Sequence, residues 1–191
     1  MKVIQTDRLR LRQWSEKDKK PFSRMCADPH VMRYFPSTMS EIESNKLIEK
    51  IARTVDEQGF GFWAAELRES DEFIGFIGLS PIADGYEFAP TVEIGWRLMR
   101  VAWGNGYASE GAKAALRFGF ETLKLPEIMS MTAVINKPSE NVMKKLGMHR
   151  QQDTFMHPSL PIDSELREHL LYRLTRNQFM AECSSHKVLS G

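Results

Sequence analysis

Polar and apolar residues alternate through Arg8, Leu9, Arg10, Leu11 and Arg12, which predicts a strand with one buried face. Ser15 followed three residues later by Asp18 is a helix-start signature. The helix it opens is expected to run to about Ala27, where Asp28 and Pro29 end it. Ser40 is a second start. Ile48, Ile51, Ala52 and Val55 then recur at helical spacing, and Gly59 supplies a left-handed stop. Residues 60–67 and 73–79 are apolar strand candidates, and the polar link 68–72 makes them an antiparallel hairpin. Residues 81–90 read as a loop. Over 91–99, Val92, Ile94 and Trp96 alternate with Glu93, Gly95 and Arg97, another strand. A glycine-bearing turn at 103–106 opens a helix to about Leu123. A strand at 128–134, a short helix at 139–146 stopped by Gly147, and a last strand at 170–174 follow. From about Asn177 the pattern reads as a frayed tail.

Hairpins come first and strand–helix–strand units later, so the fold class is α+β (mixed α/β) with a mixed sheet. The 191 residues suit one domain, placed at 1–176, with a C-terminal tail at 177–191. Charge then removes whole classes of partner. Lys plus Arg is 26 and Asp plus Glu is 25, a net charge of +1 with no global field for nucleic acid. Arg8, Arg10 and Arg12 are expected to form the solvated face of their strand. No run approaches the roughly 18 apolar residues of a membrane helix, and the charged N-terminus has no apolar signal core. Two distant cysteines, Cys26 and Cys183, make no disulfide framework, and a cytoplasmic location is expected. Five histidines are scattered without metal-ligand spacing, so no metal is expected.

The chemistry-bearing segment is Trp103, Gly104, Asn105, Gly106, Tyr107, Ala108, Ser109 and Glu110, between a strand and an alanine-rich helix. Glycines there let a ligand approach the backbone, and the free amides of a helix start favour an anion such as phosphate. A P-loop would need lysine where Ala112 stands. A dinucleotide fingerprint would need glycine where Ser109 stands, and the early hairpins fit that fold poorly.

The segment resembles the acyl-CoA signature of the GNAT superfamily of N-acetyltransferases, with Trp103, Gly106 and Ala108 at its marked positions. Glu93, Ile94, Gly95 and Trp96 together with residues 103–111 are similar to the RimJ/RimL-like branch. So is the block from Asn136 through Ser139 and Asn141 to Lys145, Leu146, Gly147 and Met148, and so is the opening run from Thr6 to Arg12. The resemblance covers nearly all of residues 5–175. It implies a largely antiparallel sheet of about seven strands flanked by helices. It also implies acetyl-CoA as cosubstrate and an amine acceptor, with a protein N-terminus or a small-molecule amine both open.

Carried over residue by residue, the resemblance implies that the amides of Gly104, Asn105, Gly106, Tyr107 and Ala108 hold the pyrophosphate, with help from the Ser109 hydroxyl. It implies that the strand around Leu98 and Met99 pairs with the pantetheine amides. Asn136 would take part in the chemistry by orienting pantetheine or substrate, or else make an ordinary loop-end hydrogen bond, and Asn141 belongs to the cofactor side. The tyrosine acid found in many members is replaced by Met143, and Ser139 stands where the branch is often proposed to protonate the thiolate. Ser139 reads equally as the cap of its helix. Glu93 is the candidate base, direct or through water, because a carboxylate on an apolar strand is costly unless used or paired. A solvated outward face is the other reading of Glu93. Tyr34 and Phe35 are expected either near the acceptor or in the core, and His157 and His169 either on a substrate loop or as structural or surface histidines. A non-catalytic acyl-CoA-binding module and a dinucleotide-binding oxidoreductase remain the rival classes.

Overall fold

The computed structural model describes residues 3–181. In chain order the elements are β1 (Ile4–Gln5), β2 (Leu9–Arg12), α1 (Glu16–Ala27), α2 (Pro29–Met32), α3 (Glu41–Gln58), β3 (Phe62–Leu67), β4 (Phe73–Ile82) and β5 (Thr91–Leu98). They continue with α4 (Tyr107–Arg117), β6 (Glu127–Ala133), α5 (Lys137–Lys145), β7 (His149–Arg150), β8 (Phe155–Met156) and β9 (Glu168–Thr175). Both serine starts form capping boxes: Ser15 with Asp18, and Ser40 with Glu43. Gly59 ends α3 in the left-handed conformation.

One sheet runs in the order β1-β2-β3-β4-β5-β6-β9-β7, with β8 also on β9. Each pairing is antiparallel except β5 with β6. Among the described residues there are nine strands rather than about seven, because β1, β7 and β8 are two-residue pairings that carry no readable alternation. The helices divide over the two faces. Ile94 and Leu98 of β5, Ile77 and Leu79 of β4, Ala112, Ala115 and Leu116 of α4, and Met143 of α5 form one core. Trp14, Phe22, Val31, Ile48, Ile51 and Phe76 form the other under α1, α2 and α3. Burying one such side chain stabilises the fold by about 1.5–3 kcal/mol. Helix α4 lies so close to β4 that a Cβ on Gly111 would come within 2.5 Å of Ile77 Cδ1.

Three expectations are corrected. The run Arg8, Arg10 and Arg12 is a solvated face only at Arg8. The side chain of Arg12 is 13% exposed and grips Asp18 at 2.7 Å and Glu66 at 2.7 Å, while Arg10 and Lys17 also pair with Glu66. These partners lie on other elements, so alternation could not reveal them. The loop at 81–90 starts later, since β4 continues to Ile82. The tail is helical over 176–181, and Phe179 packs on Phe120 with ring centroids 5.0 Å apart. The rest of the tail lies outside the described residues.

Candidate active site

Parallel pairing of β5 with β6 is confined to the bridge between Glu93 and Met129. Ser130 Oγ then donates to Ile94 O at 3.0 Å, and beyond that point the two strands part. The register with β4 is unbroken and Met99 N–H donates to Ile74 O at 2.8 Å. Alternation along the strand therefore turns the peptide groups of Trp96 and Leu98 to the opened edge. Leu98 O is taken by the Trp103 indole N–H at 2.9 Å, leaving its N–H free. This corrects the expectation for Met99: its amide belongs to the β4 ladder and is not offered to the cleft.

The opened edge leads into the glycine turn. Gly104 and Gly106 have φ values of +79° and +80°, where a side chain is strained, and a Cβ on Gly104 would meet nothing within 4 Å. The first intrahelical bond of α4 is Glu110 N–H to Gly106 O, so the amides of Tyr107, Ala108 and Ser109 have no helical acceptor. Asn105 donates through Nδ2 to Trp103 O, steadying the turn. The Ser109 hydroxyl makes no hydrogen bond among the described residues. The turn is also anchored from outside. Glu110 accepts from Thr6 Oγ1 at 2.6 Å, from Arg8 N at 2.9 Å and from Arg8 Nε at 2.6 Å, and Arg8 Nη1 donates to Asn105 O. The opening run Thr6 to Arg12 thus buttresses the turn, a link between segments about 100 residues apart that no local pattern announces.

Glu93 projects from the sheet face opposite α4. Burial pushes its carboxyl up to about 7. Near it lies a cluster in which His157 and, from β9, His169, the two histidines noted in the sequence, meet three residues that were not, Tyr86 and Phe88 from the β4–β5 loop and Phe155 from β8. Ser159 N–H donates to His157 Nδ1, so the ring proton is on Nε2 and is given to Tyr86 Oη at 2.9 Å. That leaves the tyrosine O–H free to donate elsewhere. Burial and the Glu93 charge raise the Tyr86 pKa, which places the two groups within electrostatic reach. Burial lowers His157 and takes His169 down to about 4, so both rings are neutral at pH 7. Only the aromatic residues and the histidine types were visible in the sequence; their meeting is set by the return of β9 along β6.

Asn136, not Ser139, caps α5. Its Oδ1 accepts from Ser139 N–H at 3.3 Å and its Nδ2 donates to Thr132 Oγ1 at 2.8 Å. The capping reading of Ser139 is therefore replaced: Ser139 sits three residues inside, half-buried, with its hydroxyl in no hydrogen bond among the described residues. Asn141 is exposed on the same helix. Met143, at the usual tyrosine position, is buried in the core. Buried Glu140 is held well below the usual carboxylate range, at about 2, by Lys144 and Lys137, and accepts a bond from Tyr172. It is a structural knot under α5. Among the described residues no group of three or more His, Cys, Asp or Glu side chains could hold a metal ion. No helix there is long and apolar enough to cross a membrane.

A family model described as "Acetyltransferase (GNAT) domain" matches residues 8–149. The uncharacterized N-acetyltransferase YnaD of Bacillus subtilis (strain 168) is 30% identical over 176 residues, covering 92% of this chain and 98% of YnaD. A solved GNAT-family acetyltransferase from Bacillus anthracis superposes with a TM-score of 0.75 at 27% identity, covering 92% of this chain and 99% of that one. RimL, a ribosomal L7/L12 alpha-N-protein acetyltransferase solved with coenzyme A, shares the fold with a TM-score of 0.72 at 15% identity, covering 91% and 98%.

Proposed function

The chain belongs to the GNAT acetyltransferase family, whose members use acetyl-CoA, and on that premise we propose that it moves the acetyl group of acetyl-CoA to a primary amine by direct attack. The acceptor is a protein N-terminus or a small-molecule amine. RimL, which acts on a ribosomal protein, supports the first class by likeness of fold. The proposed setting is the cytoplasm, with no part for metal, nucleic acid or membrane.

The observation that carries the reading is the parting of β5 from β6 after Glu93, with the opened edge running straight into the positive-φ turn at Gly104 and Gly106. In this reading the amides of residues 104–109 and the Ser109 hydroxyl hold the pyrophosphate at the start of α4. The free peptide groups of Trp96 and the N–H of Leu98 pair with the pantetheine arm as a missing strand would. Asn141 lies on the cofactor side of α5, and Asn136 acts by holding that helix to Thr132. Glu93 takes the proton of the arriving amine, through water. With a carboxyl near 7 it is half ionised at neutral pH, the range in which a general base is most effective. Collapse of the tetrahedral intermediate releases a thiolate, and Ser139 is the hydroxyl assigned to protonate it.

Calorimetry in EDTA tests the cofactor half of this proposal. Acetyl-CoA should bind at roughly micromolar Kd, about −8 kcal/mol. Binding of NADH or ATP with no binding of acetyl-CoA would reverse it.

A further inference from the structure

Arg97 lies on the same face of β5 as Glu93, four residues further along the strand. Its guanidinium carbon stands 4.0 Å from the centroid of Phe35 and 5.4 Å from that of Phe76. Its Nη1 reaches only the Cys26 sulfur, at 3.5 Å, and its Nε is buried with no hydrogen-bond partner. Burial lowers its pKa, and among the described residues the Cys26 thiol is what offsets this. Among the described residues no carboxylate pairs with it. The contrast with Arg12 is sharp: that guanidinium is also recessed, but Asp18 and Glu66 meet it. A recessed guanidinium without an anion recovers only part of its lost hydration from ring faces and a thiol, and it keeps a planar fork of donors for an oxyanion.

The sheet face between the two charges is half-buried. Gly95 lies between Glu93 and Arg97, and a Cβ there would sit 3.0 Å from the Phe62 ring. The strand distance from Glu93 to Arg97 is about 13 Å, and both side chains can lean inward over it. Phe35 is the aromatic wall above Arg97. The sequence had already placed this residue near either the acceptor or the core.

We infer that Arg97 is the anchor for a carboxylate carried by the acceptor, so that the acetylated amine belongs to an amino-acid-like molecule whose amine reaches towards Glu93 while its carboxylate lies in the fork of Arg97. A carboxylate is planar and matches the donor fork of a guanidinium. Its single charge balances the single cation, whereas a phosphate dianion would leave one charge unmet. The inference rests on the acetyl-transfer reading and names its substrate class.

The test pairs ω-amino acids of increasing length with alkylamines of the same length, assayed for release of CoA thiol. Aminoalkyl phosphates form a third arm. The wild type should prefer the amino acid in kcat/KM by roughly ten- to hundredfold at the best length, mainly through KM, and the phosphates should trail. In Arg97→Gln the ratio should fall towards one, and Arg97→Lys should restore part of it. Equal use of amine and amino acid by the wild type, or an unchanged ratio in Arg97→Gln, overturns the inference, and a preference for the phosphates reassigns the anion and overturns the carboxylate. A second measurement needs no turnover and no folded Gln variant. In the CoA-loaded wild type, the ¹⁵N signal of the Arg97 Nε–H should shift with 6-aminohexanoate and not with hexylamine. A shift in a protein that transfers acetyl to no amine would support the anion site while removing the acetyl-transfer reading. No shift overturns the anion site itself.

Discussion

Glu93 stands opposite Met129 at the bridge where β5 and β6 run in parallel, and the strands separate directly after it. The candidate base is therefore fixed at the apex of the cleft by the same pairing that opens the cleft.

That position gives a pH signature to stability. The Glu93 carboxyl is raised from 4.5 to about 7 by burial. A raised pKa means the folded state favours the protonated form. The contribution is fully present below about 4.5 and is lost as pH rises through about 7. Glu93→Gln should consequently stabilise the protein at pH 8 by about 1–3 kcal/mol, with the gain vanishing at pH 4. Urea midpoints at the two pH values measure it, and a pH-independent difference would contradict the buried carboxyl.

Activity of the same variant should separate base from bystander. Glu93→Gln should keep acetyl-CoA affinity and lose kcat/KM, with the loss shrinking at high pH as free amine becomes available. A pH–rate profile that overlays the wild type would show the carboxylate is idle.

Asn136 and Ser139 should part company. Asn136→Ala removes the cap of α5 and the tie to Thr132, lowering stability by about 1 kcal/mol. Ser139→Ala should leave the melting temperature nearly unchanged and lower kcat by roughly 10²–10⁴-fold if its hydroxyl protonates the thiolate. Wild-type kcat in a folded Ser139→Ala protein would take Ser139 out of the chemistry.

The glycine turn should be intolerant for two reasons. Gly106 has a φ of +80°, so Gly106→Ala costs about 1–2 kcal/mol in a left-handed conformation. Gly106→Glu adds a negative charge where the phosphate is assigned, and calorimetry should find no acetyl-CoA binding. Retained affinity in Gly106→Glu would move the pyrophosphate elsewhere.

Far from the cleft, Glu66 holds Arg10, Arg12 and Lys17 together and sits at about 2 instead of 4.5, its burial outweighed by the Arg12, Lys17 and Arg10 bonds. A lowered pKa stabilises above about 4.5, and that stability is lost as pH falls towards about 2. Glu66→Gln should destabilise at pH 7 by about 3 kcal/mol, since it leaves recessed guanidinium charge unmet, and much less at pH 3. Equal losses at both pH values would contradict the assignment.

What was legible in the chain depended on range. Ser15 with Asp18, Ser40 with Glu43, and Gly59 act within one helical turn, and the starts of α1 and α3 and the end of α3 follow from them. The alternation of Ile94 with Glu93 placed the strand, and the glycines at 104 and 106 placed the turn. The pairing of Arg12 with Glu66, the grip of Glu110 on Arg8, and the meeting of Tyr86 with His157 join segments 54, 102 and 71 residues apart. Such contacts depend on sheet order, which local pattern does not encode. The widened π-helical turn Phe118–Thr122 after α4 was equally invisible, because its residues read as ordinary helix. Met99 was misassigned for a subtler reason: which edge a strand amide faces depends on the register with β4.

The most direct test is a stoichiometric one. Purified protein with acetyl-CoA in EDTA, and a panel of primary amines that includes N-terminal peptides and amino acids, should release one CoA thiol for each N-acetyl product identified by mass. Thiol release should require the amine. Tight acetyl-CoA binding with no thiol released for any amine in the panel would mean the cleft binds an acyl-CoA without transferring it, and would contradict the account.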